Sequence, residues 1–279
     1  MDPQSAAVEV MTLIRDKKLE AAVSFIRKIH DMEFTFGRYS QQIGVALLGA
    51  FPWKDVSKLL PKDCNFFEES GWVKSLEVNA PVNKFGNPIP WLNYSLLDFV
   101  TPRLKKSPSV FEWGSGYSTF WWASLGGEVY SVEDAPGWYE KVTEETSGHP
   151  HVKINLRLDR DSYINSLRGE WDIIQIDGSY RNECAEVASK HIKNDGLIIF
   201  DNSDSPEFSQ GVVELMKKGF LRIDFFGLIP TLPYKNCTSL FFRDLCWLSF
   251  DLPPSEHYPT PGGISCFQAI LGRGESSKS

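Results

Sequence analysis

No apolar stretch of the sequence approaches the roughly 18 residues that a membrane-spanning helix needs, so no membrane partner is expected. The opening Met1-Asp2-Pro3-Gln4-Ser5 lacks the basic-then-apolar order of a secretory signal. Cysteine is sparse. Cys64, Cys184, Cys237, Cys246 and Cys266 are scattered, odd in number and nowhere spaced as CxxC, which argues against a zinc site and for reduced thiols in a cytoplasmic protein. Positive charge is also short. The 279 residues carry a formal net charge of -7, and a chain of that sign is a poor partner for a phosphate backbone, so no nucleic acid is expected. The five histidines stand outside any motif, and none is assigned a catalytic part.

What the chain does have is enough apolar content, 42%, to bury a real core. Residues 5–34 read as two amphipathic helices. Ala7, Val10, Met11 and Ile14 form one stripe and Leu19, Ala22, Val23, Ile26 and Ile29 a second, with Asp16-Lys17-Lys18 turning the chain into a helical hairpin. A further apolar segment, Ile43 to Phe51, ends at Pro52. Pro61, Pro81, Gly86, Pro88 and Pro90 predict an extended, irregular linker over 61–90, and a helix is expected from Tyr94 to about Leu104. Three regions follow: an N-terminal helical region with its linker (1–88), a main domain (89–250) and a Pro/Gly/Ser-rich C-terminal extension (251–279) whose end is expected to be disordered.

From residue 109 the rhythm is strand, helix, strand. Val110–Trp113, Glu128–Val132, Val152–Leu158, Trp171–Ile176, Leu197–Asp201, Leu221–Phe226 and Ser239–Arg243 are the predicted strands, with helices at Ser118–Leu125 and Asn182–His191. This order predicts an α/β fold, a Rossmann-like, doubly wound sheet of seven strands. A loop of about a dozen residues separates the last two strands, which predicts an antiparallel hairpin closing one sheet edge, with the last strand antiparallel to the rest.

Four strand ends carry the chemistry, where ligands of open α/β sheets bind. The first runs Glu112-Trp113-Gly114-Ser115-Gly116, an acid followed by a glycine-spaced turn that lets backbone approach a ligand closely, with Ser118 and Thr119 opening the next helix. The second ends Ser131-Val132-Glu133-Asp134, where an acid can accept both hydroxyls of a ribose. The fourth ends Ile176-Asp177-Gly178-Ser179-Tyr180 and the fifth Phe200-Asp201-Asn202-Ser203-Asp204. Trp113, Phe120, Trp121 and Trp122 suit either a substrate pocket or the helix-to-sheet core; at least two are expected in the core.

Over roughly residues 70–245 the sequence resembles the class I S-adenosylmethionine-dependent methyltransferases. The resemblance is carried by the glycine turn, Ser131-Val132-Glu133, Ile176-Asp177-Gly178 with Arg181, and Gly196 with Asp201-Asn202-Ser203-Asp204. Together with Pro90-Trp91 and Tyr94, these residues are similar to a bacterial group of small-molecule methyltransferases of mostly unassigned substrate. Ser118 stands where a third glycine is often found. The resemblance implies that Glu112, Gly114, Ser115, Gly116, Ser118, Thr119, Glu133, Asp134, Trp138 and Asp177 bind S-adenosylmethionine. It also brings in catechol O-methyltransferase and its relatives, which hold Mg²⁺ with an acid after strand four and an Asp-Asn pair after strand five. Asp177, Asp201 and Asn202 are the matching oxygen ligands here. The alternative is that Asp177 closes the cofactor pocket while Asp201 and Asn202 cap the following turn, with no metal at all.

The expected reaction is methyl transfer to a small-molecule hydroxyl, with Asp177 as the catalytic base. A small amine is the second acceptor. A non-catalytic protein that binds the cofactor and docks partners through its N-terminal hairpin is the third reading, although that hairpin is better suited to covering the pocket or forming a homodimer. The chain has no Tyr-x-x-x-Lys pair, as a nicotinamide-dependent dehydrogenase would, and no Asn/Asp-Pro-Pro-aromatic motif, as a nucleic-acid methyltransferase would.

Overall fold

Alternation along the central strands decides which side chains meet which face. In β1 (Val110–Trp113), Phe111 and Trp113 point to one face of the sheet and Val110 to the other. In β4 (Trp171–Ile176), Ile174 and Ile176 join the first set and Ile173 the second. In β5 (Ile192–Asp201), Ile198 and Phe200 oppose Leu197 and Ile199 in the same way. Both faces are therefore apolar and both are covered, as a parallel sheet requires. Complete burial of Phe111 or Phe200 is worth roughly 1.5–3 kcal/mol each.

The computed structural model describes residues 3–18, 20–22, 24–25 and 66–248. With β2 (Val129–Glu133), β3 (Val152–Leu156), β6 (Leu221–Ile229) and β7 (Leu232–Phe242), the strands form one seven-stranded sheet of order β3-β2-β1-β4-β5-β7-β6. The pairs from β3 through β5 are parallel, and β7 runs antiparallel between β5 and β6. This is the expected Rossmann-like sheet with its antiparallel last strand. Helices Arg181–His191 and Ser209–Lys217 contribute Cys184, Ala185, Ala188, Val212 and Leu215 to the face of Phe111. Helices Trp72–Val78, Tyr94–Val100 and Tyr117–Ser124 contribute Trp72, Leu96, Val100 and Trp122 to the face of Val110.

Three local expectations are corrected. The predicted linker is helical at Phe66–Glu69 and Trp72–Val78, and only its second half is irregular, with a lone bridge between Val82 and Pro88. Burial of Trp72 and Val73 against the sheet outweighs the surrounding prolines. The helix from Tyr94 ends at Val100 and tightens into a 3-10 turn, Thr101–Arg103, at Pro102. The dozen-residue loop between the last strands is itself strand, because β6 and β7 pair all the way to a turn in which Thr231 has φ 67.

At the N-terminus the helix Pro3–Arg15 buries Ala7, Val10 and Ile14 of the predicted stripe, while Met11 is 37% exposed. Most of the second predicted helix, the segment Ile43–Phe51, the linker residues 61–65 and the extension 251–279 lie outside the described residues. Among the described residues, no helix is long and apolar enough to cross a membrane.

Candidate functional site

The turn after β1 folds against the turn after β4. Gly114 has φ +90, and a Cβ there would stand 2.9 Å from the backbone of Gly178. From the other side, a Cβ on Gly178 would run into the Tyr163 hydroxyl, which accepts from the Ser179 N–H at 3.2 Å. Glycine is needed at both positions, and the two strand ends meet with no side chain between them.

Glu112 does not reach the surface of this turn. It is fully buried and accepts hydrogen bonds from Ser118 Oγ at 2.7 Å, Ser131 Oγ at 2.5 Å and Thr119 Oγ1. Thr119 Oγ1 in turn accepts from the Gly116 N–H at 2.9 Å. The carboxyl is thus the peg on which the glycine turn and the start of its helix hang. Burial pushes its pKa up to about 7, the three hydroxyls only partly offset this, and the nearby charge of Glu133 adds to the rise.

Glu133 is similarly engaged. One carboxylate oxygen accepts from the Ser115 N–H and Oγ, both at 2.9 Å; the other accepts from the N–H groups of Asp134 at 3.0 Å and Ala135 at 2.9 Å. Trp138 lies against Gly116 and donates its indole N–H to the Ser115 carbonyl.

The ends of β4 and β5 carry the other acids. Arg181 lies between them with its side chain 12% exposed. Its Nε donates to the Gly178 carbonyl at 2.9 Å, Nη1 to the Asp201 carbonyl at 2.7 Å and to Asn202 Oδ1 at 3.0 Å, and Nη2 to the Asp177 carbonyl at 2.9 Å. Nη2 also stands 3.2 Å from Asp177 Oδ1, and Nη1 stands 3.9 Å from Asp201 Oδ2. Asp201 Oδ1 accepts from Thr238 Oγ1. The Asp177 and Asp201 carboxyl groups lie close enough that ionising one disfavours ionising the other. Burial, then the charge of Asp201, raises the pKa of Asp177 well above the usual carboxylate range; burial raises that of Asp201 as well.

These parts surround one cavity of about 450 Å³, a size typical of small-ligand sites. Its roof is the turn from Gly114 to Ser118 with Trp138, and its floor is Asp177, Asp201 and Asn202. Of the predicted cofactor residues, Gly114, Ser115, Gly116, Ser118, Trp138 and Asp177 line the cavity. Glu112 and Thr119 lie beneath the turn, and Glu133 and Asp134 stand off the lining. Sequence reasoning did not place Tyr117 there, nor the opposite wall, which is Trp91 with Ile229, Leu232 and Asn236 from the tip of the β6–β7 hairpin. The Trp91 indole pins that tip by donating to the Pro230 carbonyl at 2.9 Å, and Asn93 Nδ2 donates to the Phe225 carbonyl at 2.9 Å. The four aromatics expected at core or pocket split without entering the cavity: Trp113 and Trp122 are fully buried, and Phe120 and Trp121 are half-buried.

The predicted Mg²⁺ ligands Asp177, Asp201 and Asn202 do come together, but around the guanidinium of Arg181 rather than around an open position. Among the described residues no group of three or more His, Cys, Asp or Glu has the arrangement of a metal site. The residues present therefore do not fit Mg²⁺. The Asn202 amide oxygen goes to Arg181, while its backbone carbonyl accepts from the Ser205 N–H at 2.9 Å in the turn that follows.

No family model and no curated protein matches the sequence. Solved structures similar in fold include precorrin-6y C5,15-methyltransferase from Geobacter metallireducens, 14% identical, with a TM-score of 0.45 over 54% of this chain and 86% of that one. Spermidine synthase from Thermotoga maritima is 18% identical, with a TM-score of 0.44 over 56% of this chain and 60% of its own. Fibrillarin from Aeropyrum pernix, with natively bound S-adenosyl-L-methionine, is 15% identical, with a TM-score of 0.41 over 52% and 73%.

Proposed function

We propose that the protein transfers a methyl group from S-adenosylmethionine to a small-molecule acceptor, with a hydroxyl as the attacking group. The observation that carries this reading is the meeting, in one cavity, of the glycine turn after β1 with the paired carboxyl groups of Asp177 and Asp201. The same sheet places both at the carboxyl ends of its strands, where α/β proteins bind ligands.

The residues suit the cofactor. Gly114 and Gly116 leave backbone open to a ligand on the roof. Glu133 already holds the Ser115 hydroxyl at 2.9 Å, so a ribose hydroxyl can exchange for it at the same carboxylate. Bound S-adenosylmethionine supplies an electrophilic methyl group on a sulfonium. The chain supplies alignment and, in the Asp177–Asp201 pair, carboxyl groups that would take up the proton of the acceptor's hydroxyl. Asp177 has 25% of its side chain exposed and is the member of the pair within an acceptor's reach.

An amine is the second acceptor, and one observation favours it. The charged side chains lining the cavity are Asp177 and Asp201, whose oxygens can accept from the N–H groups of an amine. Calorimetry with S-adenosylhomocysteine tests the reading as a whole. Saturable binding is expected for the natural chain, with a loss of at least about tenfold in Glu133→Ala, which removes a charged acceptor worth about 1.5–3 kcal/mol per hydrogen bond. Absence of binding to either form of the cofactor would refute it.

A further inference from the structure

We infer that Arg181 is the built-in cation of the cavity floor: its guanidinium fills an oxygen cage between the ends of β4 and β5, positions Asp177 and Asp201, and leaves no place there for a divalent ion. The cage consists of the carbonyl oxygens of Asp177, Gly178 and Asp201, the Asn202 amide oxygen and one carboxylate oxygen from each aspartate. Oxygen donors of this kind are the usual ligands of Mg²⁺ and Ca²⁺. A planar guanidinium meets the same need with five N–H donors and a charge that is never lost.

Local backbone and packing fit this role. Tyr180 and Asn202, which follow the two strand ends, both adopt left-handed conformations, with φ of 55 and 52. Those turns aim the carbonyl oxygens and the Asn202 side chain at one point. Phe208 closes the cage from the side, its ring centroid 4.8 Å from the guanidinium carbon. A second cation inside the cage would sit within a few ångströms of the first, in a buried site where repulsion is strong. Arg181 does not line the cavity itself, so it acts through the aspartates as a positioning residue.

The inference adds to the proposed methyl transfer by making its acceptor site metal-independent, but the test needs neither cofactor nor acceptor, so the two can fail separately. The full chain is titrated with MnCl₂ while electron paramagnetic resonance follows free Mn²⁺. The natural chain is expected to leave Mn²⁺ free up to about 1 mM, the weak end of carboxylate sites. Arg181→Ala is expected to bind one equivalent, and Arg181→Ala with Asp177→Asn none. Arg181→Lys keeps the charge and is expected to bind none. One equivalent bound by the natural chain and lost in Asp177→Asn would overturn the inference. So would a folded Arg181→Ala that binds nothing, or an Arg181→Lys that binds as the alanine variant does. If Arg181→Ala does not fold, Arg181→Met, which keeps the stem and loses the charge, takes its place with the same expected and overturning results.

Discussion

Replacing Glu112 by glutamine is expected to change how stability depends on pH more than it changes stability itself. Glu112 is fully buried, and its pKa rises from an ordinary 4.5 to about 7. A carboxyl whose folded value lies above its unfolded value binds more protons in the native state between the two. It therefore contributes stability that is complete below about pH 4.5 and is lost as the pH climbs through about 7. At about 1.4 kcal/mol per pH unit the full effect is about 3 kcal/mol, of which about 2–3 kcal/mol falls between pH 5 and pH 8. The glutamine cannot ionise, but it offers one acceptor oxygen to three surrounding hydroxyls, at a cost of about 1 kcal/mol. Glu112→Gln is thus the weaker protein at pH 5 and the stronger at pH 8. Urea unfolding at several pH values measures this. Asp177 and Asp201 titrate in both proteins and largely cancel in the difference. Parallel stability curves would mean that Glu112 stays in one protonation state throughout, and the account of a strained buried carboxyl would be wrong.

Other outcomes follow from the same geometry. Gly114→Ala places a Cβ 2.9 Å from the Gly178 backbone at φ +90, so urea unfolding should show a loss of about 1–3 kcal/mol. Weaker S-adenosylhomocysteine binding is expected with it. Asp177→Asn should leave S-adenosylhomocysteine binding intact by calorimetry and lower turnover by about 10²-fold or more once an acceptor is in hand. Turnover of the natural chain should rise with pH along a limb above the usual carboxylate range, since burial and the charge of Asp201 favour the protonated Asp177. Asp201→Asn should move that limb to lower pH.

The strands were legible because Val110-Phe111, Ile173-Ile174 and Ile198-Ile199 are short apolar runs bounded by turn residues, a pattern buried parallel strands cannot avoid. The hairpin tip was not legible. Gly227, Pro233 and Asn236 read as loop, yet cross-strand pairing holds them as strand on either side of the Pro230-Thr231 turn, with anchors at Trp91 and Asn93. Helix Trp72–Val78 was hidden for the same reason, since its support is the sheet face it covers.

By itself, the sequence determined the order of the elements and the positions of the glycine turn and the acids, because these depend on local conformational limits and on hydrophobic alternation. Only the tertiary structure decided what each acid does. Glu112 hangs the turn from three hydroxyls, Glu133 ties Ser115 to the chain after β2, and Asp177 meets Asp201 across Arg181. Those assignments depend on which side chains share a buried space, and parallel strands bring together residues far apart in the chain.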